Sequence, residues 1–171
     1  GTKLALVEKL RSNRGGIKRR LLLLNSVNGE LIESIEAKNF PWTLENVAFT
    51  SDSKGLLIGN AESVQEWNLE QKQVVRTFTS SREQRPLYGP HSSLSMSVDG
   101  AYVAASAGPR GGWPLHIWNR RTEECLARPK GYCIGEFSPD GRFLAAAGGS
   151  KVTLFKLPIR FDAEGNIVET K

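Results

Sequence analysis

A chain of 171 residues with 39% hydrophobic and 24% charged content fits a folded globular domain and excludes a disordered or collagen-like one. The net charge is +5, but Lys3, Lys9, Arg11, Arg14, Lys18, Arg19 and Arg20 face only Glu8 within the first twenty residues, a local +6 that leaves the rest at −1. Any electrostatic role is therefore local.

The chain opens with Leu4–Val7, a strand-length apolar run, followed by the basic stretch Arg11–Arg20 and the run Leu21–Leu24. Gly15-Gly16 lacks the lysine and hydroxyl spacing of a phosphate loop, so this stretch reads as a basic loop over 11–20. A third strand, Glu30–Ile35, follows through Asn28-Gly29, a strong short hairpin signal.

From here a unit repeats. Val47–Lys54, Leu94–Gly100 and Gly135–Arg142 align, each with a large apolar residue (Phe49, Met96, Phe137) three places before an aspartate (Asp52, Asp99, Asp140). Each aspartate precedes a second strand: Leu56–Ile58, Tyr102–Ala105 and Phe143–Ala147. A third ends near an aromatic: Val64–Trp67, Leu115–Trp118 and Val152–Phe155. The interval from aspartate to aromatic is 15, 19 and 15 residues, which places a four-residue insertion in the middle unit, within Gly108–Pro114. Fourth strands are expected at Val74–Phe78 and Glu124–Ala127, and at Gly165–Thr170 after a turn around Ala163–Gly165.

Units of four antiparallel strands at roughly 37 to 51 residues predict an all-β chain of stacked propeller blades, because one such sheet cannot bury both faces alone. Helical repeats of similar period are disfavoured, since the apolar runs are short, turn-bounded and without a 3.6-residue pattern. The expected blades are 1–37, lacking its first strand, then 44–79, 92–128 and 131–171, together an incomplete propeller or a segment of a larger one.

At Phe137-Ser138-Pro139-Asp140-Gly141-Arg142-Phe143-Leu144-Ala145 the chain resembles the WD40 repeat family, and Trp67-Asn68 and Trp118-Asn119 stand where the family's Trp-Asp pair ends a third strand. The resemblance spans Leu44–Leu157 well and the first 43 residues poorly. The chain departs from the family pattern, since no aspartate precedes Trp67, Trp118 or Phe155 at the expected hairpin and Gly89-Pro90-His91 matches the family's Gly-His pair only loosely. The resemblance implies a non-catalytic scaffold that binds proteins or peptides. Two other readings stay open: a nucleic-acid or anionic-surface binder using the basic loop, and a propeller attached to an enzyme whose catalytic part lies elsewhere. Self-association that completes a propeller is a further expectation.

In a four-stranded meander, the loop between strands two and three shares an edge with the loop leading to the next unit. That gathers Arg11, Arg14, Lys18, Arg19, Arg110 and Trp113 with Trp42, Arg82, Arg85 and Tyr88, the expected partner-binding residues. The plainer reading is that Trp42 and Trp113 cover blade ends and the charges are solvated.

Trp67, Trp118 and Phe155 recur at one repeat position and are expected to pack between blades, and His116 alternates within a strand and reads as structural. No serine elbow, His-Glu-x-x-His run or carboxylate pair is present, so no catalytic, cofactor-binding or metal-binding residues are expected. The longest apolar run falls far short of a bilayer span, and the N-terminus lacks a signal-peptide pattern. Cys125 and Cys133 are too few for a secreted disulfide framework and read as small buried hydrophobes, with a single bridge as the alternative. The expectation is a cytoplasmic protein without a membrane segment.

Overall fold

The computed structural model describes residues 2–11, 17–36, 46–59, 63–79, 91–107, 115–129, 131–161 and 167–168. Among them there is no helix, and every strand pair is antiparallel.

The first sheet has three strands in sequence order: β1 (Lys3–Arg11), β2 (Ile17–Asn25) and β3 (Leu31–Glu36). The second is a four-stranded meander of β4 (Asn46–Phe49), β5 (Gly55–Gly59), β6 (Ser63–Asn68) and β7 (Gln73–Thr79). The third repeats it with β8 (His91–Met96), β9 (Tyr102–Ala107), β10 (His116–Asn119) and β11 (Cys125–Ala127). The fourth holds β12 (Ile134–Phe137), β13 (Phe143–Gly148) and β14 (Lys151–Lys156).

Two expectations need correction. The fourth strand expected at 165–170 does not join the last sheet: β16 (Ile167–Val168) pairs with β15 (Arg160–Phe161) as a separate ribbon. Pro158, two residues after β14, has no N–H to continue a ladder, and Ile159 turns into the core instead. The basic stretch is also only partly a loop, because Ile17–Arg20 belong to β2, with Arg11 opposite Ile17 and Glu8 opposite Arg20. The hairpin expected at Asn28-Gly29 joins β2 to β3 through a turn from Asn25 to Glu30, with Gly29 in the left-handed region at φ 73°. The turn expected at 163–165 and the insertion within 108–114 lie outside the described residues.

The pleat explains how the sheets stack. Successive side chains point to opposite faces, so a central strand with neighbours on both sides must be apolar on both. All of β5 is buried: Leu56 and Ile58 meet Leu21, Leu23, Ile35 and Trp67 towards the first sheet, whereas Leu57 meets Leu94, Val103 and Trp118 towards the third. The next interface joins Ala104, Leu115 and Ile117 to Leu144, Ala146 and Phe155. Gly135 permits that approach, since a Cβ there would stand 2.6 Å from Leu115 Cδ1. Three apolar layers thus alternate with four sheets, and Trp67, Trp118 and Phe155 are buried in them as expected.

The strands that begin each sheet are close neighbours. Ser93 and Ser95 of β8 accept hydrogen bonds through their hydroxyl oxygens from the Gly135 and Phe137 N–H groups of β12, at 3.1 and 2.9 Å. These bonds occupy two backbone donors of an edge that the meander leaves unpaired.

Candidate functional site

Antiparallel alternation separates the connections onto two edges of the stack. At one edge lie the turns between first and second strands, built three times from the same parts. Thr50, Ser97 and Ser138 each donate a hydroxyl hydrogen bond of 2.6 Å to the aspartate two residues on: Asp52, Asp99 and Asp140. The same carboxylate oxygens accept the Lys54, Ala101 and Arg142 N–H groups, all at 3.0 Å. The residue after each aspartate, Ser53, Gly100 or Gly141, has positive φ, as the Pro-Asp-Gly chemistry predicts.

Turns between third and fourth strands share this edge and also repeat. Asn68 Oδ1 accepts the Glu70 and Gln71 N–H groups, and Asn119 Oδ1 accepts those of Arg121 and Thr122. Asn25 does the same for Val27. In this chain an asparagine after the aromatic forms an Asx turn. Lys72 and Glu123 take the left-handed place held by Gly29 in the first sheet.

All three aspartates titrate below their ordinary value. The first cause in each is the neighbouring hydroxyl, and Asp140, which also holds the Arg142 N–H and guanidinium, falls from 3.8 to about 2. A carboxyl whose folded pKa lies below its unfolded one contributes stability above the unfolded value and loses it as pH falls through the folded one. The melting temperature is therefore expected to hold steady above about pH 5 and to fall between about pH 4 and 2. Glu136, raised by burial, acts in the opposite sense. Melts across that range should show a shallower acid slope for the Asp52→Asn/Asp99→Asn/Asp140→Asn variant, and an unchanged slope would refute the assignment.

One ionic cluster ties the second sheet to the third. Arg120 donates from Nε and Nη2 to Glu66 Oε2 and Oε1 at 2.9 and 2.6 Å, and Arg76 Nη1 donates to Oε1 at 3.1 Å. Its carboxylate is fully committed to two guanidinium groups, so the cluster is structural. His116 is buried and stacked on Trp118, with ring centroids 5.4 Å apart. Among the described residues no three His, Cys, Asp or Glu side chains gather as metal ligands would. Cys125 and Cys133 are half-buried and not joined by a disulfide, and burial pushes the Cys125 thiol up.

Of the expected partner-binding residues the structure describes Arg11, Lys18 and Arg19, and these stand at the opposite edge. Arg11 ends β1 there, exposed Lys18 and half-buried Arg19 lie just inside β2, and Arg20 is paired with Glu8. Arg14, Trp42, Arg82, Arg85, Tyr88, Arg110 and Trp113 lie outside the described residues. A feature the sequence did not reveal is a cleft of about 310 Å³ between the first two sheets, lined by Glu33, Ser34, Ile35, Trp67 and Lys72. Lys72 Nζ bridges it to Glu33 at 2.6 Å. No sequence signal links those two residues, because they meet only through stacking.

No protein-family model matches the chain, and no curated protein matches it in sequence. Solved structures do resemble it. The β-propeller domain of Cps50 (Swd1) from Myceliophteria thermophila superposes with a TM-score of 0.54 at 21% identity, over 68% of this chain and 36% of that one. The hydrazine synthase of Kuenenia stuttgartiensis gives a TM-score of 0.61 at 19% identity, over 99% of this chain and 45% of that one. The WD40 repeats of RRP9 give 0.56 at 17% identity, over 75% and 38%. The chain thus spans less than half the length of each of these structures. Four stacked antiparallel sheets with this repeated turn chemistry have the fold of a divergent WD40-like β-propeller segment.

Proposed function

We propose that this chain is a non-catalytic cytoplasmic platform that binds a protein or peptide at the edge carrying Arg11, Lys18 and Arg19, with Arg14, Trp42, Arg82, Arg85, Tyr88, Arg110 and Trp113 supplying further contacts. The observation that carries this reading is the contrast between the two edges. At the turn edge, short loops engage their own Asp and Asn side chains in hydrogen bonds from neighbouring hydroxyl and backbone N–H groups, which leaves few directed groups for a ligand. The opposite edge is joined by the longer segments 37–45, 80–90 and 108–114, where arginine and aromatic residues concentrate. Binding residues are found disproportionately on loops held by a rigid scaffold, and arginine and aromatic side chains are frequent anchors. The likeness to WD40 domains supports the same reading.

The test is selection of binders from a displayed peptide library against the intact chain, followed by calorimetry. Trp42→Ala, Arg85→Ala and Trp113→Ala are each expected to weaken a selected peptide by about tenfold or more, whereas Glu70→Ala at the turn edge leaves it unchanged. The opposite pattern would refute the proposal. Tight, steeply salt-dependent binding to duplex DNA would favour the polyanion reading instead.

The reading of a propeller joined to an enzyme has one observation of its own, the 99% cover of this chain by hydrazine synthase. Turnover by the intact chain, or catalytic motifs in an adjoining sequence, would displace the scaffold reading.

A further inference from the structure

The repeat makes every face of every sheet comparable. Register pairs Leu4 with Leu24 and Leu6 with Leu22 in the first sheet, as it pairs Leu56 with Trp67 and Ile58 with Gln65 in the second. Leu4 therefore stands at the repeat position of Leu56, Val103 and Leu144, and Leu6 at that of Ile58, Ala105 and Ala146. Those six residues are at most 3% exposed, each packed against the preceding sheet, yet Leu4 and Leu6 are both 49% exposed.

The far end shows the converse. Val152 occupies the repeat position of Leu21, Val64 and Leu115, all fully buried against the following sheet, and is itself 70% exposed. Leu154 occupies that of Leu23 and Ile117 and is 62% exposed. The two ends thus present opposite halves of one interface, which the molecule already makes three times internally. Exposed apolar faces of this kind mark association surfaces.

We propose that the first-sheet face at Leu4 and Leu6 docks on the last-sheet face at Val152 and Leu154 of a second copy of this chain, so that two copies close end to start at both junctions. A second copy fits because each chain carries one of each half, and a two-fold axis brings both pairs together at once.

Light scattering on the intact chain at tens of micromolar is expected to give twice the chain mass. Leu4→Glu and Val152→Glu each place a charge in both junctions and are expected to raise the dimer dissociation constant by more than about a hundredfold, with the circular dichroism spectrum unchanged. Mixing the two variants should restore dimers, because one junction then joins two unaltered faces. Should either glutamate variant fail to fold, Leu6→Lys and Leu154→Lys ask the same question. A monomeric wild type, a dimer that survives both variants, or a mixture that stays monomeric would each overturn the proposal. A monomer that instead captures a longer chain of the same repeat would assign these faces to further blades.

Discussion

Trp118→Ala is expected to lower the unfolding free energy by about 4 kcal/mol, the range for emptying a large, well-packed aromatic site. Trp118 is fully buried between the second and third sheets, tilted against Phe78 at 6.2 Å and stacked on His116. Its Nε1 donates to the Thr79 carbonyl at 3.0 Å, tying the third sheet to the end of β7. Alanine removes both the packing and that bond. Trp118→Phe keeps most of the packing but leaves the carbonyl without this donor, an expected cost of about 1 to 2 kcal/mol. Stability in a stack of repeats is a sum of unit and interface contributions, so weakening one interface also uncouples its neighbours. Hydrogen exchange on Trp118→Ala should show β4–β7 and β8–β11 losing protection at different denaturant concentrations. A single transition displaced by less than about 1 kcal/mol would mean that the site relaxes around the loss.

Arg120→Ala is expected to cost about 3 kcal/mol, the scale for stripping a partner from a buried carboxylate. Glu66 has a side chain only 5% exposed and receives two of its three hydrogen bonds from Arg120, itself 22% exposed. Without Arg120 the carboxylate keeps Arg76 alone, while burial still withholds water. Because the penalty arises from an orphaned charge, removing both charges should restore most of the stability. Glu66→Leu/Arg120→Met is therefore expected to unfold within about 1 kcal/mol of the parent in urea. A double variant as weak as Arg120→Ala would show that the cluster matters for its shape and not for its charge balance. Arg120→Ala as stable as the parent would mean that water reaches Glu66.

The strand pattern and its turns were legible because they rest on neighbours in the chain. Asp52, Asp99 and Asp140 mark turns through bonds closing within five residues, and Trp67, Trp118 and Phe155 could be read as packing residues because a repeat gives each the same surroundings. A further local signal was there to be read: a hydroxyl two residues before every repeated aspartate, at Thr50, Ser97 and Ser138.

The remaining features depend on distance through space. Arg120 finds Glu66 across 54 residues, Trp118 finds Thr79 across 39, and Ser95 finds the Phe137 N–H across 42; each contact arises from one sheet lying on the next. Where Pro158 ends the ladder, the tail leaves the last sheet and forms its own ribbon. An apolar residue at a repeat position reads identically in every unit, so Leu4 and Val152 look like core in the sequence. Local hydrogen bonding and alternation specify each sheet, but burial belongs to the pair of faces that meet, and among the described residues no further sheet covers Leu4 or Val152.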